Sequence, residues 1–455
     1  MEFPGLLAGL FLPWLLGVVW LRARWLKAAE INWPTLLGYG YLAGALATTF
    51  VMRLLDALGV RLGFVSIGLT LLLLIAAGVW AGRGTALRRP QIDWRGLDGW
   101  HKAAFLALLA FIVIRLGGLG LEIVWRPLFP WDAWSQWATK ARVWYELSEL
   151  VPFVSTDVWS SGKLAGAYTD LAPSYPPAVP LLQVWMSYSL GRWDDALMNL
   201  PWLQCAIALG LAFYGQARRW GARPLFALMF TYFLLSLPVL DTHVALAGYA
   251  DLFMGALYGL AAMAFFQWVR TRDVWQGVMA LLFGLGCIFI KQPGIVWTLT
   301  FLPALLVVLA PRKGLVGIAV LAGAGAVTLL VLGEMGAFKL FGYSVLLRYG
   351  PAWEPLWQNL MVLDNWHLLW YLAAAALLLS MPRLLAPALR SMTVLVLGAF
   401  AFMAVVFFFT QASAWAEDFS TLNRAFLHMA PMLLFYLMVL FREAVYLPAV
   451  LRPRD

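Results

Sequence analysis

Phe129-Pro-Trp-Asp132-Ala-Trp-Ser-Gln-Trp-Ala-Thr-Lys140 opens the one long interruption, from about Val124 to Pro177, in a chain that otherwise reads as one apolar stretch after another. Hydrophobic residues make up 63% of the 455 and charged residues only 12%. The mean hydropathy is +0.80. A water-soluble domain of this size needs far more polar surface, so that class is excluded. A membrane-spanning helix needs about 20 apolar residues. By that measure the chain is an all-α transmembrane bundle of about thirteen spans, centred near Leu15, Ala43, Leu72, Leu109, Ala208, Leu234, Tyr258, Leu282, Leu302, Gly323, Ala373, Gly398 and Leu434. The first stretch lacks a basic start and a small-residue cleavage site, so it reads as a retained span.

Loop charge sets the orientation, because Lys and Arg collect on the cytoplasmic side. With the N-terminus outside and sidedness alternating, most of the 32 basic residues fall inside, including Arg88-Arg89, Arg218-Arg219 and Arg312-Lys313. The C-terminus is then cytoplasmic and the Asp132 loop faces outward. The net charge of +9 is accounted for by this anchoring, without a nucleic-acid partner. Cys205 and Cys287 lie mid-span and imply no disulfide framework.

Two regions are expected: residues 1–102, three spans and a basic cytoplasmic linker, and residues 103–455, carrying the outer loop at 124–200. In that loop Trp134, Trp137, Ala141 and Trp144 recur at helical spacing, with Asp132, Gln136 and Lys140 on the other face. The pattern predicts an interfacial helix, its tryptophans at headgroup level and its polar face toward an aqueous cavity. The apolar stretch from Pro177 to Leu190 is short for a span and reads as a helix resting in the outer leaflet.

Charges at span ends near hydrocarbon are costly unless paired or hydrated. Four fall on the outer face: Asp132, Asp251 at the start of the seventh span, Lys291 at the end of the eighth and Arg424 at the start of the last. Each also has a plain structural use. Asp132 could cap its helix, Asp251 complement a helix dipole, Lys291 snorkel to the headgroups and Arg424 anchor to lipid phosphate. Arg115, mid-span, is expected to pair internally. His243 is a further candidate close to Asp251 in sequence.

In these residues the chain resembles the polytopic glycosyltransferases of the C superfamily, which take sugars from polyprenyl-phosphate carriers. The resemblance rests on Trp131-Asp132 in the first large outer loop, Tyr175-Pro-Pro177 before an apolar helix, and Asp251 opening a later span. Lys291-Gln-Pro-Gly294 at the end of the following span and Asn423-Arg424-Ala-Phe-Leu-His-Met-Ala-Pro431 complete it. The last is similar to the start of a late span in protein O-mannosyltransferases and lipid A aminoarabinose transferases. The similarity covers roughly residues 103–440. The chain departs from the family in placing three spans before the Asp loop, in having Ala133 rather than a second acid after Asp132, and in lacking a large soluble C-terminal domain.

What the resemblance implies is an inverting transfer on the outer face of a bacterial-type inner membrane. Asp132 would be the base and Asp251 would orient acceptor or sugar. Arg424 and Lys291 would hold the phosphate, with Lys140, Tyr175 and His243 completing the substrate-binding set. The donor is a polyprenyl-phosphate sugar held with membrane lipid. The acceptor is a glycan, lipid or protein. The resemblance implies no certain cofactor beyond the lipid-linked donor as substrate, and it leaves a divalent cation open. Two rivals are a polymerase or ligase of lipid-linked glycans, for which Arg348 and Lys339 would be the late-loop cations, and a secondary transporter. The transporter reading requires repeated halves and Gly/Pro-broken helices, and neither is expected from the sequence.

Overall fold

The computed structural model describes residues 2–25, 32–83, 98–331, 338–340 and 343–443. The linker arginines Arg88, Arg89 and Arg95, the loop start at Glu334 and the C-terminal Arg452 and Arg454 lie outside the described residues. The fold is all-α. Among the described residues eight helices are long and apolar enough to cross a membrane, or ten if two bent pairs each count as one span. The eight fall on the stretches centred near Leu15, Ala43, Leu72, Leu109, Ala208, Tyr258, Gly323 and Gly398. The bent pairs, Pro224–Leu235 with Pro238–Ala245 and Thr421–Leu427 with Ala430–Phe441, cover those at Leu234 and Leu434. The other three stretches form the shorter helices Val274–Phe289, Gly294–Leu309 and Leu369–Arg383. Two of them end at the Lys291-Gln-Pro-Gly294 turn, where a side chain on Gly294 would meet the Cys287 carbonyl. The bent pairs are a correction to the expectation of unbroken helices.

The chain divides into two compact units. The first comprises Met1–Ser236, Leu240–Ala256 and Phe289–Lys291. The second comprises Leu237–Val239, Leu257–Ile288 and Gln292–Asp455. The three N-terminal helices α1 (Glu2–Trp25), α2 (Trp33–Ala57) and α3 (Phe64–Ala81) therefore belong to the body that carries the long loop. The reason is close packing by small residues, which lets helix backbones approach where lipid supplies no hydrophobic driving force. A Cβ on Gly17 would collide with the Gly40 carbonyl, and one on Gly44 with that of Pro13. Hydrogen bonds then tie α1 and α2 to later elements. Trp185 Nε1 donates to the Gly9 carbonyl at 2.9 Å, Gln204 Nε2 to that of Leu10 at 2.9 Å, and the Tyr41 hydroxyl to that of Pro201 at 2.8 Å. Helix starts carry their caps: Asn32 Oδ1 accepts from the Thr35 amide and Asp98 from that of His101, satisfying donors left over by the first turn.

After α4 (Gly99–Trp125) the long loop folds as a small structured layer. A π-helical turn, Ala133–Ala138, runs into α5 (Thr139–Leu147). Strand β1 (Phe153–Val154) pairs in parallel with β2 (Tyr168–Thr169) across the short α6 (Thr156–Ser160). Then come α7 (Ala178–Leu190), α8 (Leu200–Arg219), α9 (Pro224–Leu235), α10 (Pro238–Ala245) and α11 (Asp251–Thr271). Two expectations about this layer are corrected. Helix α7 does not rest in the leaflet: twelve of its thirteen residues are buried, with Leu181, Val184 and Trp185 in a cluster with α1 and α3 residues and with Ala141 and Trp144. Nor do the tryptophans all face outward: Trp137 and Trp144 are buried within the protein, and only Trp134 of that set is exposed. The π-helical turn accommodates one extra residue per turn, so Trp134 rotates off the face that Trp137, Ala141 and Trp144 share.

The second unit holds α12 (Val274–Gly286), α13 (Gly294–Leu299), α14 (Phe301–Leu309), α15 (Pro311–Val331), α16 (Trp353–Trp357), α17 (Leu369–Ser380), α18 (Arg390–Phe409), α19 (Thr421–Leu427) and α20 (Ala430–Phe441). A hairpin of β3 (Phe338–Leu340) and β4 (Tyr343–Val345) precedes α16. Helix α20 is almost wholly buried, whereas α15 exposes nearly all of its apolar surface, as expected of a lipid-facing helix.

Candidate active site

Asp132 stands where an extended proline-flanked segment turns into helix. The Trp134 amide donates to the Pro130 carbonyl at 3.2 Å and Ser135 Oγ to that of Trp131 at 2.6 Å, closing the first turn. The Thr139 hydroxyl and amide both reach the Trp134 carbonyl, the five-residue step that makes the turn a π-helix. Such turns recur at functional sites. Asp132 is half-buried at its start, one carboxylate oxygen accepting from Gln136 Nε2 at 3.3 Å. The Asp132–Gln136 pair is thus retained from the sequence spacing, but Lys140 is not on an aqueous face. Its side chain is buried, its Nζ 2.9 Å from Asp170 Oδ2 and 2.6 Å from the Ala172 carbonyl. Asp170 also accepts from the Ala172 amide at 2.9 Å. Burial pulls the Lys140 ammonium below the ordinary lysine range, and the Asp170 carboxylate opposes that shift without cancelling it. A lysine so enclosed braces the loop.

Tyr175 stacks on Trp137, ring centres 5.2 Å apart and planes 28° from parallel, so Ser174-Tyr-Pro-Pro177 is seated on the helix that Asp132 begins. On the other side lies the turn between α10 and α11. Gly248 occupies it with φ +108°, and a Cβ there would come within 2.6 Å of the Ala133 Cβ. Only glycine permits both that backbone and that approach. The turn carrying Asp251 is thereby laid directly on the residue that follows Asp132. Asp251 is fully buried and its Oδ1 lies 2.8 Å from Lys291 Nζ, itself 12% exposed. The expected common level of Asp251 and Lys291 is therefore a direct ion pair, and the Lys291 charge is shared with a carboxylate. His243 is buried with its ring 5.6 Å from that of Tyr249, whose carbonyl accepts from Trp202 Nε1 at 2.7 Å. A water-sized cavity of about 10 Å³ lies alongside, lined by Arg126, Pro130, Asn199 and Ala245 among others.

Six of the seven residues expected from the sequence lie in the first unit: Asp132, Lys140, Tyr175, His243, Asp251 and Lys291. Arg424 belongs to the second. It sits half-buried on α19, next to a buried polar network. There Asn423 accepts from Trp366 Nε1 at 2.8 Å and donates to Asn359 Oδ1 at 2.6 Å and to the Phe419 carbonyl at 2.8 Å. An apolar cavity of about 380 Å³ opens in the same unit between Trp353, Trp357, Leu360, Met361, Trp370 and Phe400. Trp370 reaches from its wall to Phe426 on α19, ring centres 5.3 Å apart. Arg348 is exposed, and the Lys339 side chain lies outside what is described. Among the described residues no three His, Cys, Asp or Glu side chains converge as a metal-ligand set.

The sequence reading missed Gly248, Asp170 and Asp241. Gly248 stands three residues before Asp251, and its isolation between apolar residues is a usable signal of close approach. Asp170 had none, because a partner thirty residues away follows no helical spacing. No family model, curated protein or solved structure matches the chain.

Proposed function

We propose that the protein is an integral membrane glycosyltransferase of about thirteen spans, N-terminus outside and C-terminus cytoplasmic, using a polyprenyl-phosphate-linked sugar on the outer face of the inner membrane. The observation that carries the reading is the seating of the Asp251 turn on Ala133. It lays the turn that leads to a buried, ion-paired carboxylate, Asp251, on the residue next to a half-buried one, Asp132, and two carboxylates in different environments suit different roles in acid–base chemistry. Asp132 keeps an exposed edge and takes the acceptor hydroxyl's proton. Asp251, with its charge balanced by Lys291, orients sugar or acceptor hydroxyls. In the second unit Arg424 holds the carrier phosphate, for which a guanidinium fork is suited, and the apolar cavity there is large enough for several isoprene groups. Displacement on the face opposite the leaving phosphate gives inversion, by analogy with single-displacement glycoside chemistry.

The test is Asp132→Asn, which keeps shape and the Gln136 contact while removing the proton acceptor. Transfer from a radiolabelled short-chain polyprenyl-phosphate sugar should fall by about a hundredfold or more, as for loss of a general base. Unchanged turnover would return Asp132 to a capping role. The two bent helix pairs favour a second reading, secondary transport. Substrate uptake by proteoliposomes without sugar transfer would select it.

A further inference from the structure

Helix α10 carries His243 and leads into the Gly248–Asp251 turn, so its direction determines where that turn lands. It meets α9 at a 62° bend. A break of this kind frees backbone carbonyls within the span, and in lipid these must find donors in the protein. Arg115, in the middle of α4, supplies one: its Nη2 donates to the Ser236 carbonyl at 3.1 Å, just before the break. The same guanidinium is in ion-pair contact with Asp241 Oδ2, one turn after it. One arginine therefore grips both sides of the bend. A charge in mid-span is costly unless paired, and here it is held by the Asp241 carboxylate.

We infer that Arg115 and Asp241 are positioning residues, a clamp that fixes the bend between α9 and α10 and through it holds Asp251 on Lys291 and Gly248 against Ala133. The inference concerns the site described above and rests on the glycosyltransferase reading only for what that site does. Neither residue touches the reacting groups; Arg115 acts through Asp241, and Asp241 through the helix it stands on. Both contacts are made by one nitrogen, Nη2, so a lysine keeps the charge and the donors, and what it loses is the reach of the longer guanidinium.

The experiment reads the turn without reference to activity. Detergent-purified wild type, Arg115→Leu, Asp241→Leu, Arg115→Lys and the swap Arg115→Asp with Asp241→Arg are treated briefly with an amine-reactive ester. Modification is then quantified at Lys291 and at Lys140 by peptide mass spectrometry. Lys140, buried on Asp170 elsewhere in the same unit, reports general loosening. The clamp predicts faster Lys291 labelling in each Leu variant by about tenfold, the ratio that an opening easier by roughly 1.4 kcal/mol produces. Lys140 should be unchanged, Arg115→Lys intermediate, and the swap close to wild type. Lys291 protected in both Leu variants overturns the clamp. So does labelling that rises equally at both lysines, or a swap no better than the single variants. Transfer assays on the same preparations separate the two claims: if the labelling pattern holds but wild type transfers no sugar, the enzyme reading falls and the clamp stands.

Discussion

Lys140→Met removes the cation from a pair whose two side chains are 2% and 0% exposed. Left behind are the Asp170 carboxylate and the Ala172 carbonyl, which had accepted from the ammonium at 2.6 Å. Breaking a buried pair from one side typically costs 3–5 kcal/mol, because the uncompensated charge outweighs the attraction lost. Replacing both members is different in kind. Lys140→Met with Asp170→Asn keeps an acceptor for the Ala172 amide and leaves no charge, so the residual loss should be about 1 kcal/mol, one missing hydrogen bond. The assay is thermal unfolding in detergent together with protease nicking between Ser155 and Tyr175, where the loop surface is exposed. The single variant should be nicked readily, and the double variant should recover at least about 2 kcal/mol of the difference. The pH dependence has a definite sign. Burial lowers the Lys140 pKa from 10.5, so between its folded value and 10.5 the native state binds fewer protons than the unfolded one. This group's contribution is therefore fully present above 10.5 and is lost as pH falls through the folded value. Wild type should gain on Lys140→Met as pH rises through that window. A single variant as resistant as wild type would mean that Lys140 is not buried on Asp170 and is available to substrate after all.

Gly248→Ala should cost about 1–3 kcal/mol from the strained φ alone and more from the collision with Ala133, seen as a lowered melting temperature and lost transfer. If stability and transfer both hold, the turn does not lie on Ala133. Arg424→Ala should weaken binding of a short-chain polyprenyl phosphate by about ten- to a hundredfold, the range for a charge-assisted contact worth roughly 1.5–3 kcal/mol. Arg424→Lys should restore only part of that loss, and equal affinity in all three proteins would move the phosphate elsewhere. Cysteine at the exposed Ser161 should react with an impermeant maleimide in intact spheroplasts. Labelling only after permeabilisation would reverse the orientation and discard the outward-facing site.

Membership of the membrane class and the places where helices lie followed from the sequence alone, because runs of apolar residues have one stable solution in lipid and their positions are local facts. The thirteen apolar stretches all fall on helical segments, but only eight of these are single helices of spanning length, two are bent pairs and three are shorter. Arg115 was expected to pair internally, and it does, since a lone mid-span charge has no other low-energy state. Asp251 and Lys291 were placed at one level by counting spans, but counting cannot say that two side chains touch. What only the tertiary structure decided is which groups are enclosed. Lys140 and Asp132 share a helical face on paper, yet the π-helical turn and the distant Asp170 bury one and leave the other half-open. Helix α7 is apolar and too short for a span, and it is packed inside protein because α1 and α3 cover it; an apolar face reads the same whether lipid or protein meets it. The meeting of Gly248 with Ala133 joins segments more than a hundred residues apart through a contact that only a missing side chain allows, and a missing side chain carries no periodicity from which its partner could be read.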